Sequence, residues 1–345
     1  MKKHDLLIKR NFLRLLMGLL LVCLQLGVKA MDLITVDLQG KGDFTSIQEA
    51  INSVRAFRGE HTVRIWIKKG IYREKVVIPS YLENVQLVGE SAAETKIVYN
   101  DYAGKEKQYA DETGQTKLGT FTSYTLLVRA NHVVIKNLTI ENDAGPVGQA
   151  VALHIEGDRI ALVDCILLGY QDTLYLGREG SRSVFLNCKI NGTTDFIFGP
   201  GCSFFSKCKL ISLRNSYVTA ASTPKGQTYG YVFEQCDFIA GDTGVNKVFL
   251  GRPWRPYAKT VLVDCNLGKH IVPEGWNEWK GDKLFPEKEK TVYYAELKSK
   301  GEGAYDLSKR VAWSHQLPSS SRKDYKLSLI MGNWDVKKMV DDMNK

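Results

Sequence analysis

Along the middle of the chain a short pattern of apolar, polar, cysteine and apolar positions recurs. It appears as Val163-Asp164-Cys165-Ile166, Leu186-Asn187-Cys188-Lys189-Ile190, Phe205-Ser206-Lys207-Cys208, Phe233-Glu234-Gln235-Cys236 and Val263-Asp264-Cys265. Successive cysteines are 23, 20, 28 and 29 residues apart, and Ile135-Lys136-Asn137-Leu138 is an earlier unit with leucine in the cysteine's place. Periods of this length mark a solenoid, in which each unit buries its apolar face only by stacking on the next. Between Gly70 and Trp279 the units are short runs rich in Val, Ile, Phe and Thr, broken by Gly, Asn, Asp and Pro, without a sustained 3.6-residue period. The pattern predicts an all-β chain folded as a right-handed parallel β-helix, with unequal intervals where loops leave one edge.

The flanks read differently. Phe44 to Val54 places apolar residues at helical spacing after a Gly/Asp-rich turn, which predicts an amphipathic helix capping the open N-terminal end. Asp101 to Gly119 is polar, charged and glycine-containing, an exposed loop between coils. After Trp279 the repeat gives way to Lys/Glu-rich sequence with Pro286 and Pro318-Ser319-Ser320-Ser321, which predicts loops and short helices along the solenoid's flank.

The first thirty residues change the reading of charge. Lys2, Lys3, Lys9, Arg10 and Arg14 precede the apolar run Leu15 to Leu26, and Val28-Lys29-Ala30 has the small-x-small form of a cleavage site. Residues 1–30 are therefore expected to be a signal peptide and 31–345 a single catalytic domain, secreted or periplasmic, with no stable membrane span after cleavage. The leader holds six basic residues and one acid, so the remainder carries 41 basic and 37 acidic residues, net +4 instead of the whole chain's +9. That modest excess suits a polyanionic substrate and gives no support to nucleic-acid binding, for which no compact basic block with aromatics stands out.

Seven cysteines include Cys23 in the leader. Five of the other six share the repeat position and read as an inward ladder of small apolar side chains. Cys202 and Cys208 are the nearest pair in sequence and the candidate disulfide. Neither C-x-x-C nor H-E-x-x-H occurs and the histidines are scattered, so neither a metal nor a cofactor is expected.

Candidate chemistry lies at two aspartates, Asp172 and Asp195, each seven residues after a repeat cysteine. Equivalent positions on neighbouring strands bring two carboxylates to about 5 Å. A serine hydrolase is not indicated, since no G-x-S-x-G occurs. A carboxylate pair divides the roles: Asp195 attacks if a cation favours its ionised form, while Asp172, facing a like charge, is raised in pKa and holds a proton. Gln171, and Gln149 in the preceding coil, offer amide N–H groups to an oxyanion. Gln149, Asp172 and Asp195 are spaced 23 and 23 apart, which predicts a single stripe on three coils. In Leu250-Gly251-Arg252-Pro253-Trp254, Arg252 suits a bidentate pair with Asp195, and Trp254 a sugar ring. Singly, such an arginine is ordinarily a solvated charge and such a tryptophan core; on one solenoid face they form a site.

These residues carry a resemblance to the pectinesterases, the pectin methylesterases. It runs from about Asp37 to Trp279 and rests on Gly40-Lys41-Gly42-Asp43-Phe44, Gly70-Ile71-Tyr72-Arg73-Glu74, Gly145 to Leu153, Gly169-Tyr170-Gln171-Asp172-Thr173-Leu174-Tyr175, Asp195-Phe196-Ile197-Phe198-Gly199 and Leu250 to Trp254. The resemblance implies a metal-free hydrolase that removes C6 methyl esters from galacturonate units of methylated homogalacturonan, acting as a monomer. It implies Asp195 as nucleophile, Asp172 as general acid then base, Gln149 and Gln171 as oxyanion donors, Arg252 and Trp254 as substrate positioners and Thr120 as an outlying contact. Phe198 and Tyr175 are added as subsite walls. Plant members have Gln-Gly-Arg near Thr219-Ala220-Ala221-Ser222, absent here, so plant-type subsite preferences are not carried over; the recognisable domain starts almost at the expected cleavage site without an inhibitor-like pro-region, which favours a bacterial-type exported member. The competing readings are an esterase or thioesterase on a non-pectin substrate, a lyase or galacturonase on the same scaffold, and a β-helix polysaccharide-binding module without activity.

Overall fold

The structure, a computed structural model, describes residues 31–59, 61–112 and 114–343, so the expected leader lies outside it. Its strands form three sheets of 11, 8 and 7 strands. The chain visits them in turn: Ile160–Val163 in the first, Ile166–Leu168 in the second, Leu174–Leu176 in the third, then Arg182–Leu186 beside the starting strand in parallel pairing. That circuit is one coil of a parallel β-helix, and the same order carries the chain from its first strands to its last.

The repeated sequence unit is the corner between the first and second sheets. Asn137, Asp164, Asn187, Lys207, Gln235 and Asp264 each stand in the left-handed region with φ of 53° to 55°, a conformation that Asn and Asp tolerate best. The next residue, Leu138 or Cys165, Cys188, Cys208, Cys236 or Cys265, then turns inward and is buried. The thiols donate to main-chain carbonyls of the preceding coil, Cys165 to Ile135 at 3.4 Å and Cys208 to Phe185 at 3.3 Å. Above them Phe185, Phe205 and Phe233 stack at centroid spacings of 4.5 Å. All six described cysteines are free. Cys202 packs on the outer face of the first sheet and Cys208 in the interior, so the bridge considered from the sequence is not formed.

The N-terminal helix spans Ile47–Ser53 and buries Ile47, Ala50 and Ile51 over the first coils. Its unpaired N–H groups meet Glu74, reaching from the chain beyond the Gly70–Tyr72 strand: the carboxylate accepts from Ser46 Oγ at 2.8 Å, Ile47 N at 2.9 Å and Gln48 N at 3.0 Å. A charged acceptor on otherwise orphaned donors contributes more than a neutral one. Glu74→Ala is expected to lower unfolding free energy by about 2 kcal/mol, seen as a lower denaturant midpoint at unchanged slope. A loss below about 0.5 kcal/mol would show that burial alone seats the helix.

The repeat does not end at Trp279. Tyr293–Leu297 adds another strand to the first sheet beside Lys259–Val263. Its period is disguised because the inward position after Tyr294 is Glu296, which is fully buried and paired with Arg310, Nε to Oε1 at 2.6 Å. Beyond it, as the composition predicts, come short turns and the helices Leu327–Met331 and Val336–Met343. Ile330, Met331, Trp334 and Val336 pack with Val184, Phe204 and Val232 on the outer face of the first sheet.

Candidate active site

Strand alternation sends Leu174 and Leu176 into the core and Tyr175 outward, and likewise Ile197 inward and Phe198 outward. Register then aligns Leu127, His154, Tyr175, Phe198 and Ala220 in one row across the outer face of the third sheet. Tyr175 stacks on Phe198 at 4.6 Å and on Phe121 at 4.8 Å, and the Trp254 ring lies 5.9 Å from Phe198. An aromatic floor on the outside of a sheet is suited to the apolar faces of sugar rings. Tyr175, Phe198 and Trp254 are thus brought together. Thr120 sits at the edge of this floor on the turn Thr120–Thr122, which Lys75 holds through the Thr122 carbonyl at 2.6 Å and His154 Nδ1 through the Phe121 carbonyl at 3.2 Å.

The carboxylates stand beside the row, in the corner just ahead of Tyr175 and Phe198. Asp172 and Asp195 each precede by two residues a member of the paired set Leu174 and Ile197, so they occupy the same corner of adjacent coils. They lie in the turn between the second and third sheets, not within strands, and both are left-handed, with φ of 67° and 50°. Gly192 makes that corner possible: a Cβ there would come within 2.2 Å of Phe196 Cβ and 2.6 Å of the Tyr170 carbonyl oxygen.

Gln149 departs from the predicted stripe. It pairs in parallel with Gln171, not with Asp172. Ala152 N and Leu153 N both donate to the Thr173 carbonyl, at 2.9 and 3.1 Å, so the earlier coil holds one extra residue, a bulge. The consequence favours chemistry, since the two amide side chains now leave neighbouring positions just ahead of the two carboxylates. Gln149 is exposed, Gln171 half-buried, and among the described residues neither side-chain amide has a hydrogen-bond partner.

Arg252 supplies the cation. Its Nε donates to Asp195 Oδ1 at 3.0 Å and its Nη2 to Oδ2 at 2.7 Å. The guanidinium is also flanked by Tyr217 at 4.0 Å and Trp279 at 3.6 Å from the ring centres. Burial drives the Asp172 carboxyl well above the ordinary range, the Asp195 charge adds to the rise, and Arg252 opposes it. Burial raises Asp195 too, while the hydrogen bonds and charge of Arg252 pull it back. Arg252 therefore limits the rise at Asp195 and does not cancel burial, contrary to the expectation of a carboxylate simply held ionised. The order survives: Asp195 gives up its proton first and Asp172 keeps one. The arrangement sets two unequal carboxylates and two amide side chains beside an aromatic floor, groups that can serve as nucleophile, acid and oxyanion donors.

Sequence reasoning missed Phe121, Tyr217 and Trp279 as parts of the site. No motif marks them, because each acts through a ring stacked on a residue from another coil or loop.

Comparison with known proteins gives a consistent picture. The family model described as Pectinesterase matches residues 33–329. An Arabidopsis thaliana relative described as a pectinesterase is 40% identical over 289 residues, 83% of this chain and 75% of its own. Among solved structures, the pectin methylesterase from carrot superposes with TM-score 0.78 at 29% identity, covering 89% of this chain and 95% of that one. A pectin methylesterase solved in complex with a hexasaccharide gives TM-score 0.74 at 31% identity over 87% and 97% of the two chains. The relatives from Arabidopsis thaliana and Petunia integrifolia, matched over 70% to 75% of their own length, are plant proteins, so the bacterial-type expectation is not borne out. Among the described residues no helix is long and apolar enough to cross a membrane.

Proposed function

We propose that this chain, which belongs to the pectinesterase family, hydrolyses the C6 methyl esters of galacturonate units in pectin through an acyl-enzyme on Asp195. The observation that carries the assignment of roles is the unequal setting of two adjacent buried carboxylates, one gripped by Arg252 and the other not. The Asp195 carboxylate attacks the ester carbonyl, and the Gln149 and Gln171 amides donate to the developing oxyanion. The tetrahedral intermediate collapses with departure of methoxide, which takes the proton of Asp172 and leaves as methanol. Asp172, now a carboxylate, takes a proton from water; the resulting hydroxide attacks the acyl carbonyl, freeing Asp195 and leaving a galacturonic acid. Tyr175, Phe198 and Trp254 seat the sugar rings and Thr120 contacts the polymer at the edge of the floor. The protein acts as a monomer outside the cell that exports it.

The test is methanol release from highly methylated pectin over a pH series. Activity requires Asp195 ionised and Asp172 protonated, so kcat/KM is expected to rise with pH as Asp195 loses its proton, above the ordinary aspartate value of 3.8, and to fall at higher pH as Asp172 does. Unsaturated product, which only a lyase generates, is not expected. Binding of pectin without methanol release at any pH would transfer the reading to a binding module, and a profile with no alkaline limb would remove Asp172 as the acid.

A further inference from the structure

Arg252 is not positioned by Asp195 alone. Tyr217 belongs to the same sheet, but Trp279, the other ring against the guanidinium, comes from the connection that follows the Val272–Trp276 turn and lies outside the named strands. Trp279 is left-handed, with φ of 60°, a conformation that a bulky residue keeps only where its surroundings impose it. The group that faces it is Lys288, whose Nζ lies 4.7 Å from the ring centre. Lys288 Nζ donates to Asp282 Oδ2 at 2.6 Å. Asp282 is held in turn by the N–H groups of Leu284 and Phe285, at 3.1 and 3.3 Å.

The exposure of this pair is unequal: the Lys288 side chain is 1% exposed and Asp282 16%. A lysine taken out of water is costly, and an ion pair recovers little net stability. Buried, charge-paired groups beside a cleft are accordingly candidates for a part in its chemistry. Here a continuous series of contacts runs from Asp282 through Lys288, Trp279 and Arg252 to Asp195.

We infer that Lys288, anchored by Asp282, is a positioning residue for the reaction: it holds the Trp279 ring on Arg252 and so keeps the Arg252 fork engaged on the Asp195 carboxylate. The inference rests on Asp195 being the nucleophile. The groups that act on Asp195 are Arg252 and Asp172, with the Tyr294 hydroxyl near enough to feel its charge. Those that act on Lys288 are Asp282, Arg255 and Arg252. Loss of Lys288 frees Trp279 and loosens the fork, and burial then acts on Asp195 with less opposition, so Asp195 ionises at higher pH.

The experiment is the pH dependence of kcat/KM for methanol release in Lys288→Met and Asp282→Asn beside the wild-type enzyme, with melting transitions recorded for each. The acid limb is expected to move upward by about half a pH unit in both, a loss of about threefold in kcat/KM at any pH on that limb, with a smaller loss at the plateau. Asp282→Asn is nearly isosteric and its amide oxygen still accepts from the Leu284 and Phe285 N–H groups, so it carries the test if Lys288→Met does not fold. An acid limb in the wild-type position in the folded variants, or an equal loss at every pH, overturns the inference. Absence of methanol release from the wild-type enzyme would instead overturn the esterase reading, and full activity in Asp195→Asn the nucleophile assignment on which the inference rests.

Discussion

Replacing Asp195 with asparagine is expected to cut kcat for methanol release by at least about 10⁴-fold while leaving the protein folded. Asparagine is nearly isosteric and accepts the left-handed backbone that position 195 requires, with φ of 50°. Its N–H to the Tyr217 carbonyl, at 2.8 Å, is untouched. What vanishes is the anion. A carboxamide is a poor nucleophile toward an ester, and the Arg252 fork loses the second of its two carboxylate oxygens. Because the aromatic floor and Trp254 do not depend on that charge, KM is expected to change little, so the loss falls on kcat. Initial rates of methanol release, with a melting transition to confirm folding, decide it. Activity within tenfold of wild type would mean that Asp195 is no nucleophile.

Asp172→Asn carries the second large effect, about 10² to 10⁴-fold in kcat, and it has a signature of its own. The methoxide loses its proton donor and the hydrolytic water loses its base, so both halves of the reaction slow, and the alkaline limb of the pH profile disappears with the group that made it. Stability moves the other way. The folded-state pKa of Asp172 is raised, so its contribution to stability is full below the unfolded value, near 3.8, and is lost as pH rises through the folded value. The asparagine variant has no proton to lose. It is expected to gain on the wild-type protein steadily as pH climbs through that window, as measured by denaturation at several pH values. A variant less active yet increasingly more stable toward neutral pH is the behaviour of a group kept for chemistry at a cost to the fold. Equal stability across that range would mean that Asp172 is not shifted.

Much of this architecture was readable because one corner repeats in both backbone and side chain. A polar residue followed by cysteine is a left-handed turn followed by an inward side chain, and a pattern of five such units needs no knowledge of what lies between them. The paired aspartates were legible for the same reason, since equal distances from two equivalent cysteines place them on equivalent corners. What escaped was set by geometry between coils. The one-residue offset of Gln149 comes from two N–H groups sharing the Thr173 carbonyl, and local spacing carries no trace of it. The last full strand hid behind Glu296, a charge at an inward position whose partner, Arg310, lies beyond the strand. The stacking of Tyr217 and Trp279 on Arg252 joins residues with no common motif. At Asp195 the sequence suggested the cation but not the depth of burial that outweighs it.

The distance along the chain between the nucleophile and its cation has a consequence for how the molecule comes into being. Asp195 and Arg252 are 57 residues apart, and Trp279, one of the two rings against that guanidinium, follows later still. A polypeptide made from its N-terminus therefore lays down both carboxylates, both amides and most of the floor before Arg252 arrives. Until then Asp195 is without its guanidinium partner. The pairing of the site comes late, so a chain cut short before Arg252 would keep both carboxylates and lack the cation that sets them apart.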